Sequence, residues 1–136
     1  VVAALAIISL VYPSKIHGDE SVAVNIQQIL FESLSDTSDK QMIKEAIVFI
    51  ASKYGVDKSS MIATIECESG FNNTAIGKAG ERGLAQFMPA TWEYWNKERG
   101  TYLEIHRIQN QLDMMAWAFE KGYQRHWTCW KLLTMR

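Results

Sequence analysis

Uncompensated charge is nearly absent from this chain of 136 residues: 14 lysines and arginines meet 15 aspartates and glutamates, for a formal net charge of -1. With no run of basic residues either, the electrostatic footprint that nucleic acid or an anionic surface requires is missing, so nucleic acid is not expected as a partner. Cysteine is scarce, confined to Cys67 and Cys129. His17, His106 and His126 are scattered, and neither a Cys-x-x-Cys nor a His-Glu-x-x-His spacing occurs. A zinc site is therefore unsupported, and no metal or cofactor is expected. Internal repeats and low-complexity stretches are absent as well. The apolar run at the start of the chain falls short of the about 20 residues a full membrane span needs.

What is present is ordinary in bulk. Hydrophobic residues make up 48% and charged residues 21%, as in a soluble globular protein, and the length suffices for one core and not two. Val1 to Tyr12 is apolar except for Ser9, ends at Pro13-Ser14-Lys15 and is followed by Gly18 and Asp19-Glu20. Residues 1–18 read as the remnant of a signal peptide or membrane anchor in preference to a buried strand or helix. Residues 19–38 read as a helical arm or linker, and 39–136 as the functional domain. An extracytoplasmic protein is expected, whether secreted, periplasmic or membrane-anchored. In such a protein the two cysteines pair by default, closing a loop of about 60 residues that contributes roughly 4 kcal/mol in the chain-entropy model; two buried free thiols are the alternative.

The pattern along the chain is helical. Val22, Ile26, Ile29, Leu30 and Leu34 give residues 21–34 an amphipathic spacing. Ser38 and Gln41 read as a capping box before the stripe Ile43, Ala46, Ile47, Ile50, Ala51 and Tyr54, and Gly55 reads as its stop. The next helix starts near Asp57 to Ser59 and runs through Met61, Ile62 and Ile65 to Glu68 and Ser69, with Gly70 as its end. Asn72 to Gly83 follows no period and reads as a loop or small irregular hairpin. Pro89 opens a helix through Thr91, Trp92 and Trp95 that ends at Gly100. Ile105, Ile108, Leu112, Met115 and Phe119 form the last and longest stripe, ending at Gly122. The fold class is mainly α.

One carboxylate stands out. Met61, Ile65 and Glu68 are spaced by four and three residues, so Glu68 extends the apolar face, whereas Glu66 points elsewhere. Apolar neighbours and the negative end of the helix dipole both raise the pKa of such a group, and an acid still protonated near neutral pH can protonate a leaving oxygen. A solvated glutamate at a frayed helix end is the plainer alternative, disfavoured by the space that Gly70 and the glycine-containing loop open beside it. Gly83-Leu84-Ala85-Gln86-Phe87 could be a buried turn. As a binding segment it offers the amide of Gln86 and a backbone near Gly83 that a ligand can approach. Trp92, Tyr94, Trp95, Tyr102, Tyr123, Trp127 and Trp130 supply aromatic faces, most for the core and a few for a groove.

Glu68-Ser69-Gly70-Phe71, Gly83-Leu84-Ala85-Gln86-Phe87 and Pro89-Ala90-Thr91-Trp92, preceded by Tyr54-Gly55-Val56-Asp57, resemble the signature of the lytic transglycosylase SLT domain of the lysozyme-like superfamily, over roughly Lys40 to Arg136. The resemblance implies a lysozyme-like fold with Glu68 as the single acid and base, peptidoglycan as substrate, and 1,6-anhydromuramyl ends as product. It implies that Ser69 orients Glu68 or contacts sugar, and that Gln86 and the backbone of Gly83, Leu84 and Ala85 hold the glycan. A cysteine before the acid and a late Trp-x-Cys are similar to small secreted relatives, which supports a Cys67–Cys129 bridge. Two departures from the pattern stand out: Ala85 replaces the methionine of Gly-Leu-Met-Gln, and the Ala-Tyr-Asn motif whose tyrosine bonds the acid is missing. Tyr123 is the candidate substitute.

Two other functions compete. A hydrolytic muramidase would draw on a second carboxylate about 5 to 9.5 Å from the acid; Glu81 is the candidate, its plainer role being a solvated loop charge beside Arg82. A glycan-binding or assembly module would keep the groove and need no Glu68 chemistry.

Overall fold

The computed structural model describes residues 26–34 and 39–135, and the chain divides into two units between Ser33 and Leu34. The expected export segment at 1–18, Val22 and Ser38 lie outside the described residues. In the first unit, helix α1 is seen over residues 26–32. Of its expected stripe, Ile26, Ile29 and Leu30 are exposed and Leu34, just past the helix, is buried, as is Phe31, which lies off the stripe.

In the second unit, carboxylates and glycines punctuate the helices. Asp39 caps α2 (Lys40–Tyr54), its side chain accepting from the amides of Gln41 and Met42. Asp57 caps α3 (Lys58–Ser69) in the same way through Ser59 and Ser60. Such caps each satisfy amides that the first helical turn leaves unpaired. Gly55 and Gly70 end these two helices in the left-handed conformation, where a Cβ would be strained. Pro89 opens α4 (Pro89–Arg99). The last long helix, α5 (Ile108–Glu120), begins after Ile105, which sits in the preceding turn rather than in the helix. A 3-10 turn (Gln124–His126) and the short α6 (Thr128–Thr134) complete the unit. Seven residues carry too little period for α6 to be read in advance.

Helix α2 packs against α3 and α5, and α3 packs against α6. The apolar faces meet in a core containing Ile43, Ile47, Ile50, Met61, Ile65, Leu112 and Met115, all fully buried. Each such side chain contributes about 1.5–3 kcal/mol relative to exposure. A second, aromatic part of the core centres on Trp95, whose ring meets Phe87, Trp117, Tyr123, His126 and Trp127 at centroid distances of 4.9 to 6.1 Å. Between α2, α4 and α5 lies a polar tie. Arg99 donates to Asp113 at 2.7 Å and to the hydroxyl of Tyr54 at 3.0 Å, and Tyr54 donates to Asp113 at 2.8 Å. Burial, then the bond to Asp113, pushes the Tyr54 hydroxyl up to about 12.

Residues 75–87 form the irregular hairpin that the glycines suggested. Isolated antiparallel bridges join Ile76 to Arg82 and Arg82 to Phe87. This segment follows the end of α3 and carries the Gly83–Gln86 turn.

Candidate functional site

Glu68 occupies the last turn of α3, on the same face as the buried Met61 and Ile65, and is itself half-buried. Glu66 is exposed. The Cys67–Cys129 disulfide fastens this turn to the start of α6. It also brings the Cys129 amide to Glu68, where the N–H donates to Oε1 at 3.2 Å. Burial raises the Glu68 pKa and the nearby Glu81 carboxylate raises it further, while the Cys129 N–H acts in the opposite sense; the net direction is upward. One carboxyl oxygen is thus fixed as an acceptor. In the protonated acid, the proton belongs on Oε2.

The turn that follows is built by internal hydrogen bonds. Ser69 Oγ donates to the Leu84 carbonyl at 2.7 Å, tying the end of α3 to the turn. Gly83 donates its N–H to Ala75 at 3.0 Å, and its carbonyl accepts from Gln86 Nε2 at 2.8 Å. Ala85 gives its N–H to Gln111 Oε1 at 3.2 Å, and its carbonyl accepts from the Trp127 indole at 2.8 Å. Gly83, Leu84 and Ala85 are all buried. These backbone groups therefore hold the site together from within, and the small Ala85 fits against Trp127 and Gln111. Gln111 also donates to Asn73 at 2.7 Å, and any Cβ at Gly83 would collide with the Gln111 side chain.

Gln86 is half-buried and takes a left-handed conformation, φ 52°, as does Phe71 at φ 66°. Such backbone is costly for a side-chain-bearing residue, by about 1–3 kcal/mol, and persists where surroundings over-determine it. Here the Gln86 amide nitrogen is held by the carbonyls of Ala75 and Gly83. Its carbonyl end lies with the Glu81 carboxylate over Gly77, where a Cβ would clash with both. Glu81 is half-buried and accepts from the Ala79 N–H at 3.0 Å. It is thus a placed carboxylate within electrostatic reach of Glu68, not the free loop charge beside Arg82 that the sequence suggested. An 810 Å³ cavity opens past the end of α3, lined by residues including Gly70, Asn72, Thr74, Arg82 and His106.

Tyr123 is engaged elsewhere. Its hydroxyl donates to Glu98 at 2.9 Å and its ring stacks on Trp95, so the hydrogen bond expected on Glu68 from a tyrosine comes instead from the Cys129 amide. A backbone donor leaves no mark in sequence. Gln111 did leave one: it lies three residues after Ile108 and four before Met115, on the apolar face of α5, where a polar residue needs a partner. No group of three or more His, Cys, Asp or Glu side chains among the described residues is arranged to hold a metal ion.

The described helices make a mainly α domain, with a glutamate in the last turn of α3, which is consistent with a lysozyme-like fold. Residues 45–125 match the family model of the Transglycosylase SLT domain, and the chain belongs to that family. No solved structure matches the chain.

Proposed function

We propose that the protein is a peptidoglycan lytic transglycosylase that cleaves the β-1,4 bond between N-acetylmuramic acid and N-acetylglucosamine, with residues 39–136 as its catalytic domain. The observation that carries this reading is Glu68: half-buried, with its pKa raised by burial, and held through one oxygen by the Cys129 N–H. The protonated acid gives its proton to the glycosidic oxygen as the bond to the muramyl C1 breaks. The resulting carboxylate then takes the proton of the muramyl 6-hydroxyl as that oxygen closes on C1, which leaves a 1,6-anhydro end and returns Glu68 to its starting state. Ser69 fixes the turn, and Gln86 keeps its amide carbonyl beside the Glu81 carboxylate over Gly77. Action on the wall places the protein outside the cytoplasm; no helix among the described residues is long and apolar enough to cross a membrane.

Glu81 favours a second reading, hydrolysis, because a second carboxylate near the acid can activate water or stabilise the sugar cation. Mass spectrometry of muropeptides released from purified peptidoglycan separates the two: anhydromuramyl ends support the transglycosylase, and reducing ends the muramidase. Glu68→Gln is expected to lower release by at least about 100-fold. Full release by that variant would remove Glu68 from the chemistry.

A further inference from the structure

A separate cavity of 440 Å³ lies on the aromatic side of the domain, lined by Thr91, Tyr94, Trp95, Glu98, Tyr123 and His126. Trp95 and Tyr123 stack at 5.7 Å with an interplanar angle of 23°, and the His126 ring stands edge-on to Trp95 at 78°. Trp95 itself is buried beneath the Tyr123 ring, so the aromatic surface that the cavity offers comes from the exposed Tyr94, from Tyr123 and from the edge of His126. Tyr94 is exposed. The Tyr123 hydroxyl donates to Glu98 Oε1, which orients that carboxylate at the rim. Glu98 is the one carboxylate in the lining. Lys97 and Arg125, exposed basic residues adjoining Glu98 and His126 in sequence, do not contribute to the walls. Arg99 is committed to Asp113 and Tyr54.

Electron-rich aromatic faces together with one carboxylate attract a cation, through the ring quadrupoles and by direct pairing. The position restricts which cation. Trp95 is backed by Phe87 and Trp127, and Trp127 holds Ala85 of the active-site turn. From His126 the chain reaches Cys129, the residue bonded to Glu68, in three steps that cover at most about 11 Å. A tripeptide attached to a muramyl sugar at the acid has a similar reach. We propose that this pocket is a subsite for the primary ammonium group of the peptide stem carried by the glycan, which rests on the peptidoglycan reading above and extends it to the stem.

The test is calorimetric titration of the Glu68→Gln protein, which cannot turn over its ligand, with a soluble disaccharide peptide whose stem amine is free or acetylated. Acetylation is expected to weaken binding about fivefold. Adding Glu98→Gln, whose amide can still accept from Tyr123, should reduce affinity for the free amine to that for the acetylated ligand; Tyr94→Ala should do the same in part. Equal affinity for the two ligands, no binding of either, or discrimination that survives both substitutions would overturn the proposal. Wild-type digestion of native and amine-acetylated peptidoglycan is run beside it. Absence of cleavage on both substrates counts against the enzymatic reading alone, because the titration reads the pocket without catalysis.

Discussion

Two half-buried carboxylates in this domain have opposite surroundings. Asp113 on α5 receives the Arg99 guanidinium and the Tyr54 hydroxyl, with side chains only 11% exposed for Arg99 and 21% for Asp113. Glu68 on α3 receives a single backbone N–H and looks toward another carboxylate, Glu81. The first arrangement satisfies a charge and uses it to join three helices. The second leaves a charge poorly compensated, which raises the pKa of the acid above its ordinary value. Similar burial therefore goes with a paired charge in one place and a raised pKa in the other; the partners decide.

The disulfide offers the strongest way to disturb this contrast, because it acts on the Glu68 side alone. Replacing Cys67 and Cys129 together by serine removes a cross-link spanning 62 residues and should cost roughly 4 kcal/mol in denaturant unfolding. It should also loosen the Cys129 amide from Glu68. Loss of that donor removes the one influence lowering the Glu68 pKa, so the alkaline limb of activity should move to higher pH. An unchanged limb in a folded variant would show that the amide contact is not maintained by the bridge.

On the other side, Asp113→Asn leaves the Arg99 guanidinium without its anionic partner. Removing one member of a well-buried pair costs about 3–5 kcal/mol, and the partial exposure here reduces the expectation to about 2–3 kcal/mol. Chemical denaturation measures it directly. Activity per folded molecule should change little, since Tyr54, Arg99 and Asp113 bond to one another and to nothing in the Gly83–Gln86 turn.

The helix frame of both regions was legible in sequence because period and punctuation agreed: apolar stripes over α2, α3 and α5, with glycines at 55, 70 and 100 where the chain turns left-handed. Glu68 was legible for the same reason, as an acid continuing an apolar face. The supports were not. Asp113 and Arg99 meet across 14 residues and Tyr54 across 59, a tertiary coincidence that no local pattern encodes. The Cys129 donor is a backbone group, and Tyr123 was assigned to the acid by analogy while its hydroxyl went to Glu98. Backbone commitment within Gly83, Leu84 and Ala85 was likewise invisible, as it depends on Trp127, Gln111 and Ser69 arriving from three other elements.

The contrast predicts opposite signs of stability change on neutralising the two acids. The folded pKa of Glu68 is raised, so the folded state holds the proton more tightly than the unfolded chain does. That contribution is complete below the unfolded value and disappears as pH rises through the folded one. Glu68→Gln cannot ionise and still offers an acceptor to Cys129. It should melt at a higher temperature than the wild type near neutral pH, with the difference vanishing below about pH 4. Thermal melts across that range check it, and a lower melting temperature at neutral pH would mean that the carboxylate is better compensated than its surroundings indicate.

Glu81→Gln gives the smallest shift and the finest distinction. The amide keeps the shape that fits over Gly77 and can still accept from Ala79, but the like charge facing Glu68 is gone. The Glu68 pKa should fall toward its ordinary value, and the alkaline limb of kcat/KM should move to lower pH. If Glu81 acts only through this field, the rate at the pH optimum should change by less than about tenfold. If it activates water for hydrolysis, the loss should reach about 100-fold or more at every pH, the usual scale for removing a general base. The shape of the pH profile thus separates a carboxylate that tunes the acid from one that shares its chemistry. Only the first is compatible with a reaction in which Glu68 serves as both acid and base.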